Sequence, residues 1–198
     1  MTLPSGDDRP VDEPTLVARA RAGDREAFGE LVVAHQARAY RLAWRLTRDR
    51  QIAEELTQEA FLRAFSHLEN FREGEPFRRW LVTIVMNLCL NEIKRKKRAA
   101  IPVDDRTVAR IEGQALAGGR AGETVDAQVA TRELERDLDR EVANLPPKYR
   151  AAFLLRHNEQ LSVQEIAGAL GVPEGTVKTL LFRARELLRA RLSRHLAG

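Results

Sequence analysis

Apolar side chains recur at spacings of three and four along most of this 198-residue chain, which predicts a succession of amphipathic helices. A short first helix is expected over LVARARAG, capped by Thr15 and ended by Gly23. It follows a segment, Met1 to Pro14, rich in Pro, Gly and acid and expected to be disordered. Asp24 then caps a long helix whose core-facing stripe is Phe28, Leu31, Val32, Ala39, Leu42, Ala43 and Leu46. His35 lies on or beside that stripe and reads as a packed histidine, because no second ligand stands at metal-binding spacing. Asp49 caps the next helix, with Ile52, Leu56, Ala60, Ala64 and Leu68 as its apolar side and Phe61 and Phe65 beside them. The stretch ENFREGE is a loop. Pro76 opens a further helix that buries Phe77, Leu81, Ile84, Val85 and Leu88.

Periodicity fades from Ala99 to about Thr131, where Pro102, Gly113, Gly118, Gly119 and Gly122 mark a linker too long for a loop inside one domain. The pattern returns with Leu134, Leu138, Val142 and Leu145. Pro146-Pro147 then opens a helix carrying Tyr149, Ala152, Phe153 and Leu155. The expected architecture is all-α: two small helical domains joined by a flexible linker. Its boundaries are a tail and short helix (1–23), a first domain (24–98), a linker (99–130) and a second domain (131–198).

The second domain ends in LSVQEIAGALGVPEGTVKTLLFRARELLRARL, which predicts two helices joined by a tight turn. Ser162 and Glu165 have capping-box spacing, Gly171 can take the left-handed conformation that closes a helix, and Val172-Pro173 prevents continuation. The following helix buries Val177, Leu181, Ala184, Leu188 and Leu192. Thr176, Lys178, Thr179, Phe182, Arg183 and Arg185 project outward, and Arg189, Arg191 and Arg194 extend the positive charge. A recognition helix needs this division between side chains that reach base edges and cations that hold phosphates. A basic face is usually only a solvated one; here the turn, the capping box and the one-signed face coincide, which favours DNA binding.

Charge elsewhere is also clustered. Lys and Arg number 33 against 29 Asp and Glu, a net +4 that conceals an acidic helix face formed by Glu54, Glu55, Gln58 and Glu59. That face can be solvated, can supply paired carboxylates for acid–base chemistry, or can dock a basic partner; no accompanying pocket signal favours catalysis. On the helix after Pro76, a second stripe holds Trp80, Thr83, Asn87, Asn91, Lys94 and Arg95. An aromatic ring, amides and cations in line suit single-stranded nucleic acid, although Trp80 alone is as readily a core residue. Cys89 is the single cysteine, so disulfides and cysteine zinc sites are excluded, and a buried thiol in a reducing, cytoplasmic protein is expected. The start of the chain has no signal-peptide pattern, and no apolar run approaches the ~20 residues that span a bilayer. No phosphate loop, nucleophile elbow or triad spacing suggests an enzyme, and no metal or other cofactor is expected.

Four segments in order, IAEELTQEAFLRAF, FRRWLVTIVMNLCLNEIKRKKR after the ENFREGE loop, LPPKYRAAFLLR and the helix-turn-helix, resemble the extracytoplasmic-function group of sigma factors in the sigma-70 family, from about Asp24 to Leu196. The resemblance implies a subunit of bacterial RNA polymerase without chemistry of its own, with region 2 in 24–98 and region 4 in 131–198. It implies core polymerase, promoter DNA and an anti-sigma factor as partners, with no insertion of the chain into membrane. Glu54, Glu55, Leu56, Gln58, Glu59 and Phe61 would dock on polymerase. Asn70, Phe71, Trp80, Asn87, Asn91, Lys94 and Arg95 would open the minus-ten element and hold a flipped base. Thr176, Lys178, Thr179, Phe182, Arg183 and Arg185 would read the minus-thirty-five duplex. Glu92 stands where the family often has aspartate and Leu180 where it commonly has arginine, which leaves Lys178 and Arg183 as the leading contacts. With the chain ending at Gly198, no appended sensor domain is expected. The competing reading is a free-standing helix-turn-helix regulator whose N-terminal helices sense a ligand or dimerise.

Overall fold

The computed structural model describes residues 12–72, 74–99 and 137–196. In order come α1 (Glu13–Arg21), α2 (Arg25–Thr47), α3 (Arg50–Ser66), a 3-10 turn (Leu68–Asn70), α4 (Phe77–Ala99), α5 (137–143), α6 (Pro147–His157), α7 (Val163–Leu170) and α8 (Glu174–Leu196). Among the described residues there is no strand, as the 3.6-residue periodicity requires. The expected linker and Leu134 fall largely or wholly within 100–136, outside the described residues, as does most of the N-terminal tail.

The capping residues act as their chemistry dictates. Asp24 accepts from the Ala27 N–H at 3.0 Å and Asp49 from the Ile52 N–H at 3.2 Å, each supplying an acceptor for a first-turn donor that the helix leaves unpaired. The first helix departs from expectation. It begins at Glu13, with Asp12 in the cap position, and the Thr15 hydroxyl donates to the Asp12 carboxylate instead of capping a later start. Pro14 sits in the first turn, where its missing N–H costs nothing. Glu13 and Pro14 thus belong to the folded unit, and α1 buries Leu16, Val17 and Ala20 against α2 and α4.

Helices α2, α3 and α4 pack on one another around Leu31, Leu42, Leu46, Phe77, Val85 and Met86. The buried side of α3 is rotated from the expected stripe: Ala53, Thr57, Ala60, Phe61 and Ala64 face inward, while Ile52 and Leu56 are only partly buried and Phe65 is 40% exposed. Three alanines along one line let α3 approach its neighbours closely, so size rather than hydropathy selects the inner face. On α4, Val82, Met86 and Cys89 join the expected core, and Ile84 is half-buried. Burial pushes the Cys89 thiol up to about 12, which leaves it protonated and unreactive.

In the C-terminal group, α6 packs on α8, and both touch α7. Ser162 and Glu165 form the complete capping box, and Gly171 closes α7 at φ 64°, a conformation that favours glycine. The two groups also meet. Arg38 of α2 donates to Glu159 Oε2 at 2.8 Å and to the Asn158 carbonyl at 3.1 Å. Arg79 of α4 pairs with Glu165, and Arg45 pairs with Asp139 at 3.2 Å. Apolar burial from both groups forms one contiguous cluster.

Two stability predictions follow from these contacts. The Glu159 side chain is only 6% exposed while Arg38 is 36% exposed. Arg38→Ala strands the carboxylate and is expected to cost about 1–3 kcal/mol, less than a fully buried pair because solvent reaches the arginine. A lower urea midpoint checks it. Lys96 beside Asp49, together with the Ile52 N–H, holds the Asp49 carboxyl below its ordinary 3.8. The folded value is the depressed one, so this contribution is complete well above pH 3.8 and is lost as pH falls through the lower folded value. Asp49→Asn keeps a cap acceptor without the titration and should flatten that part of the acid-unfolding curve.

Candidate functional site

Three surfaces carry the predicted site residues, and each is the outer face of a helix whose inner face is core. On α3, Glu54, Glu55 and Gln58 are exposed and Glu59 is half-exposed. The face is less acidic than its sequence suggests. Arg50 lies 3.3 Å from Glu54 and Arg63 lies 2.7 Å from Glu59, both one turn away on the same helix. Glu55 instead accepts from the Gln51 amide at 3.1 Å and has no cation paired with it among the described residues. Phe61 is buried and Leu56 partly buried, so they support this surface from beneath and do not present it. Leu62, 64% exposed, extends the face one turn beyond Gln58. It was missed because a leucine in an amphipathic helix is assigned inward; its position one turn from Gln58 is the signal that places it with the polar face.

On α4 the second stripe is largely as expected. Asn87, Asn91, Lys94 and Arg95 are exposed, and Trp80 and Thr83 are partly buried. Trp80 is both core and platform: its ring lies 5.4 Å from the Phe71 ring and 5.8 Å from the Phe77 ring, in edge-on contact, while part of it remains open. Asn70 is exposed at the end of the 3-10 turn, whereas Phe71 is buried and anchors the loop instead of facing a ligand. The cations of this stripe are unequal. Arg95 holds Glu92 in a two-pronged pair, Nε at 2.7 Å and Nη2 at 2.8 Å, which keeps the Glu92 carboxyl below the usual carboxylate range. Lys96 is held by Asp49 at 3.0 Å. Lys94 has no such partner among the described residues.

On α8, all six predicted residues are exposed: Thr176, Lys178, Thr179, Phe182, Arg183 and Arg185. Phe182 is 53% exposed, a large apolar surface flanked by cations. The Thr179 hydroxyl donates to the Gly175 carbonyl at 3.0 Å, which leaves its oxygen free to act as an acceptor. Leu180 is buried, so the position that commonly carries arginine has become part of the core. Two expectations fail farther along. Arg191 turns inward, its side chain 15% exposed and 3.6 Å from Glu141, so it does not extend the outer charge. Leu192 is only half-buried, and the Arg194 side chain lies outside the described residues.

Among the described residues no group of three His, Cys, Asp or Glu is arranged to hold a metal, and no helix is long and apolar enough to cross a membrane. His35 is held by Glu13 at 2.9 Å and packs on Phe77, in keeping with a structural role.

Comparison with known proteins places the two helical groups in a family. The family model of Sigma-70 region 2 matches residues 31–99 and that of Sigma-70, region 4 matches residues 135–188. The chain is 33% identical over 178 residues to the ECF RNA polymerase sigma factor SigW of Bacillus subtilis, covering 89% of this chain and 94% of that protein. It is 39% identical over 196 residues to the ECF RNA polymerase sigma factor SigE of Mycolicibacterium smegmatis, covering 94% of this chain and 71% of that protein. Among solved structures, CnrH in complex with the cytosolic domain of CnrY superposes with a TM-score of 0.62 at 25% identity, covering 92% of this chain and 97% of CnrH.

The Glu92–Arg95 pair yields a test of the α4 surface. Glu92→Gln frees Arg95 and is expected to tighten binding to a single-stranded DNA oligonucleotide, steepening the slope of log affinity against log salt by about 0.7. Arg95→Ala should cost little alone and cancel the gain in the double variant, a coupling that salt titrations of the four proteins measure.

Proposed function

The chain belongs to the extracytoplasmic-function sigma factors of the sigma-70 family, and from that membership we propose how its surfaces divide the work of promoter selection. The protein directs core RNA polymerase to promoters. Members of this family are not enzymes; in this chain the surfaces perform no covalent chemistry, and the polymerase supplies catalysis. The free-standing regulator is set aside, because region 2 accompanies the helix-turn-helix.

The observation that supports the division is that two exposed faces of different character, each carrying cations, stand on separate helical groups. The first turns of α8 expose Thr176, Lys178, Thr179, Phe182 and Arg183 on a helix that can enter a major groove, with a guanidinium for guanine edges and apolar surface for thymine methyls. The α4 stripe offers a partly open indole, two exposed amides and Lys94, suited to an unstacked base and its phosphates. The α3 face, with Glu55, Gln58 and Leu62, combines charge with an apolar anchor and docks the polymerase. Its basic counterpart would steer encounter through Glu55.

Promoter engagement requires the two groups to part. Elements centred near minus-thirty-five and minus-ten lie about 25 base pairs apart, about 85 Å of duplex. A compact chain of this length has a radius of gyration of about 16 Å. The closed arrangement therefore cannot contact both elements, and docking on polymerase must release the Arg38, Arg45 and Arg79 pairs. A regulatory partner can act on the same equilibrium. CnrH, of this fold, forms a complex with the cytosolic domain of CnrY. The partner proposed for this chain is an anti-sigma factor that covers the α3 face, in the cytoplasm.

Run-off transcription with core polymerase on a library of promoter fragments tests the assignment. Glu55→Lys is expected to lower core affinity by about tenfold or more and to remove specific transcripts. Arg183→Ala should leave core affinity intact, cost about 1–3 kcal/mol of discrimination at one minus-thirty-five base, and redistribute transcripts among fragments. Absence of specific initiation by the unaltered protein at every fragment would refute the reading.

A further inference from the structure

The match to region 2 begins at residue 31, so α1 lies ahead of it. That helix holds both ends of the segment leading into the minus-ten surface. At one end, Glu13 Oε1 accepts from the Phe77 N–H at 2.7 Å. Phe77 is the first residue of α4, so its N–H is one that the helix cannot pair internally, and the carboxylate sits at the positive end of the helix dipole. The other oxygen, Oε2, lies 2.9 Å from His35 Nε2, and the His35 ring packs 5.5 Å from the Phe77 ring. At the other end, Arg21 donates to the Glu69 carbonyl at 3.4 Å in the 3-10 turn, against which α1 packs. Between these two contacts run Asn70 and buried Phe71, then Gly74 at φ 85°, and Trp80 follows one turn into α4.

We propose that Glu13 is a positioning residue for promoter opening: it fixes the start of α4, and with it the preceding loop and Trp80, in the geometry that receives an extruded base. The proposal rests on the assignment of the α4 surface to the minus-ten element. A base leaves the duplex at a cost of a few kcal/mol of lost stacking, which the receiving surface must offset at once. A loop that had to be ordered during capture would spend part of that interaction on its own conformational entropy. Glu13 and Arg21 remove that requirement by holding the two ends beforehand. Glu13 bonds to no residue of the α3 docking face or the α8 reading face, so affinities for core polymerase and for the duplex should not sense it.

Holoenzyme assembled from core polymerase and the full chain provides the test, with permanganate reactivity of unpaired minus-ten thymines as the readout on a promoter that the protein transcribes. Glu13→Ala removes the acceptor and is expected to reduce the open fraction about fivefold, with affinities for core polymerase and for a duplex minus-thirty-five fragment unchanged. Glu13→Gln can still accept from the Phe77 N–H and should retain more than half of the opening. Equal opening by Glu13→Ala and the unaltered protein overturns the proposal. So does a parallel loss of core affinity, which would mark α1 as a general brace, and so does Glu13→Gln no better than Glu13→Ala. Trp80→Ala is measured alongside. Normal opening by Trp80→Ala would overturn the α4 assignment itself, whereas a defect in Trp80→Ala without one in Glu13→Ala would remove only the role of Glu13.

Discussion

Burial of the Phe77 ring is the interaction on which the N-terminal group depends. The ring is fully buried and lies between 5.5 and 6.4 Å from the rings of Phe28, His35, Phe71 and Trp80, which come from α2, the loop and α4 itself. Its backbone N–H receives Glu13 from α1. One residue, through its ring and its backbone N–H, thus joins three helices and the loop between α3 and α4, and it does so at the first position of the helix that bears the amides and cations of the proposed minus-ten surface. An aromatic side chain buried this completely contributes on the order of 3–5 kcal/mol against truncation, and here the same burial also sets where α4 begins. Trp80 illustrates the consequence: its edge is committed to Phe71 and Phe77, so the open part of the indole has one orientation available.

The elements that local chemistry determines were legible in the sequence. Asp24 and Asp49 accept first-turn N–H groups, Ser162 and Glu165 complete their box, and Gly171 takes a left-handed conformation, because each of these depends on residues within three or four positions. The outer face of α8 was legible for a related reason: apolar spacing alone separates Thr176, Lys178, Thr179, Phe182, Arg183 and Arg185 from Val177, Leu181 and Ala184. What escaped depends on distance along the chain. Glu13 and Phe77 are 64 residues apart, and Arg38 and Glu159 are 121 apart. No periodicity couples such pairs, so the start of α1 and the contact between the two groups appeared only in three dimensions. Arg191 escaped for another reason: a long side chain on a basic helix can fold its stem over the core and meet Glu141, and hydropathy assigns it outward regardless.

Charge on this molecule is apportioned between internal pairing and surfaces left for partners. Lys96, Arg95, Arg50 and Arg63 are each engaged by a carboxylate nearby, whereas Lys94, Lys178, Arg183 and Glu55 have no counter-ion among the described residues. Exposed pairs on one helix contribute only a few tenths of a kcal/mol, so their larger effect is on what the surface presents. Each removes a charge from the field that a polyanion or a docking partner meets. Each of the three surfaces proposed for polymerase, single-stranded DNA and duplex DNA keeps at least one such uncompensated residue, although the net charge of the chain is only +4.

The same reasoning bears on how firmly the closed arrangement holds. Arg45–Asp139 and Arg79–Glu165 are solvent-exposed on at least one side, and pairs of that kind contribute about 0–1 kcal/mol each and weaken with salt. Arg38–Glu159 is stronger because the carboxylate is nearly buried, yet its burial carries a desolvation cost that offsets much of the attraction. Glu165 has a second commitment, since its carboxylate is held first by the Ser162 backbone N–H and only then faces Arg79. Releasing Arg79 therefore leaves Glu165 fully occupied in its capping box and α7 intact. Separation breaks contacts between the groups without breaking those within them, so a partner that binds only the open form needs to contribute no more than the modest free energy of these few pairs and the apolar surface beneath them.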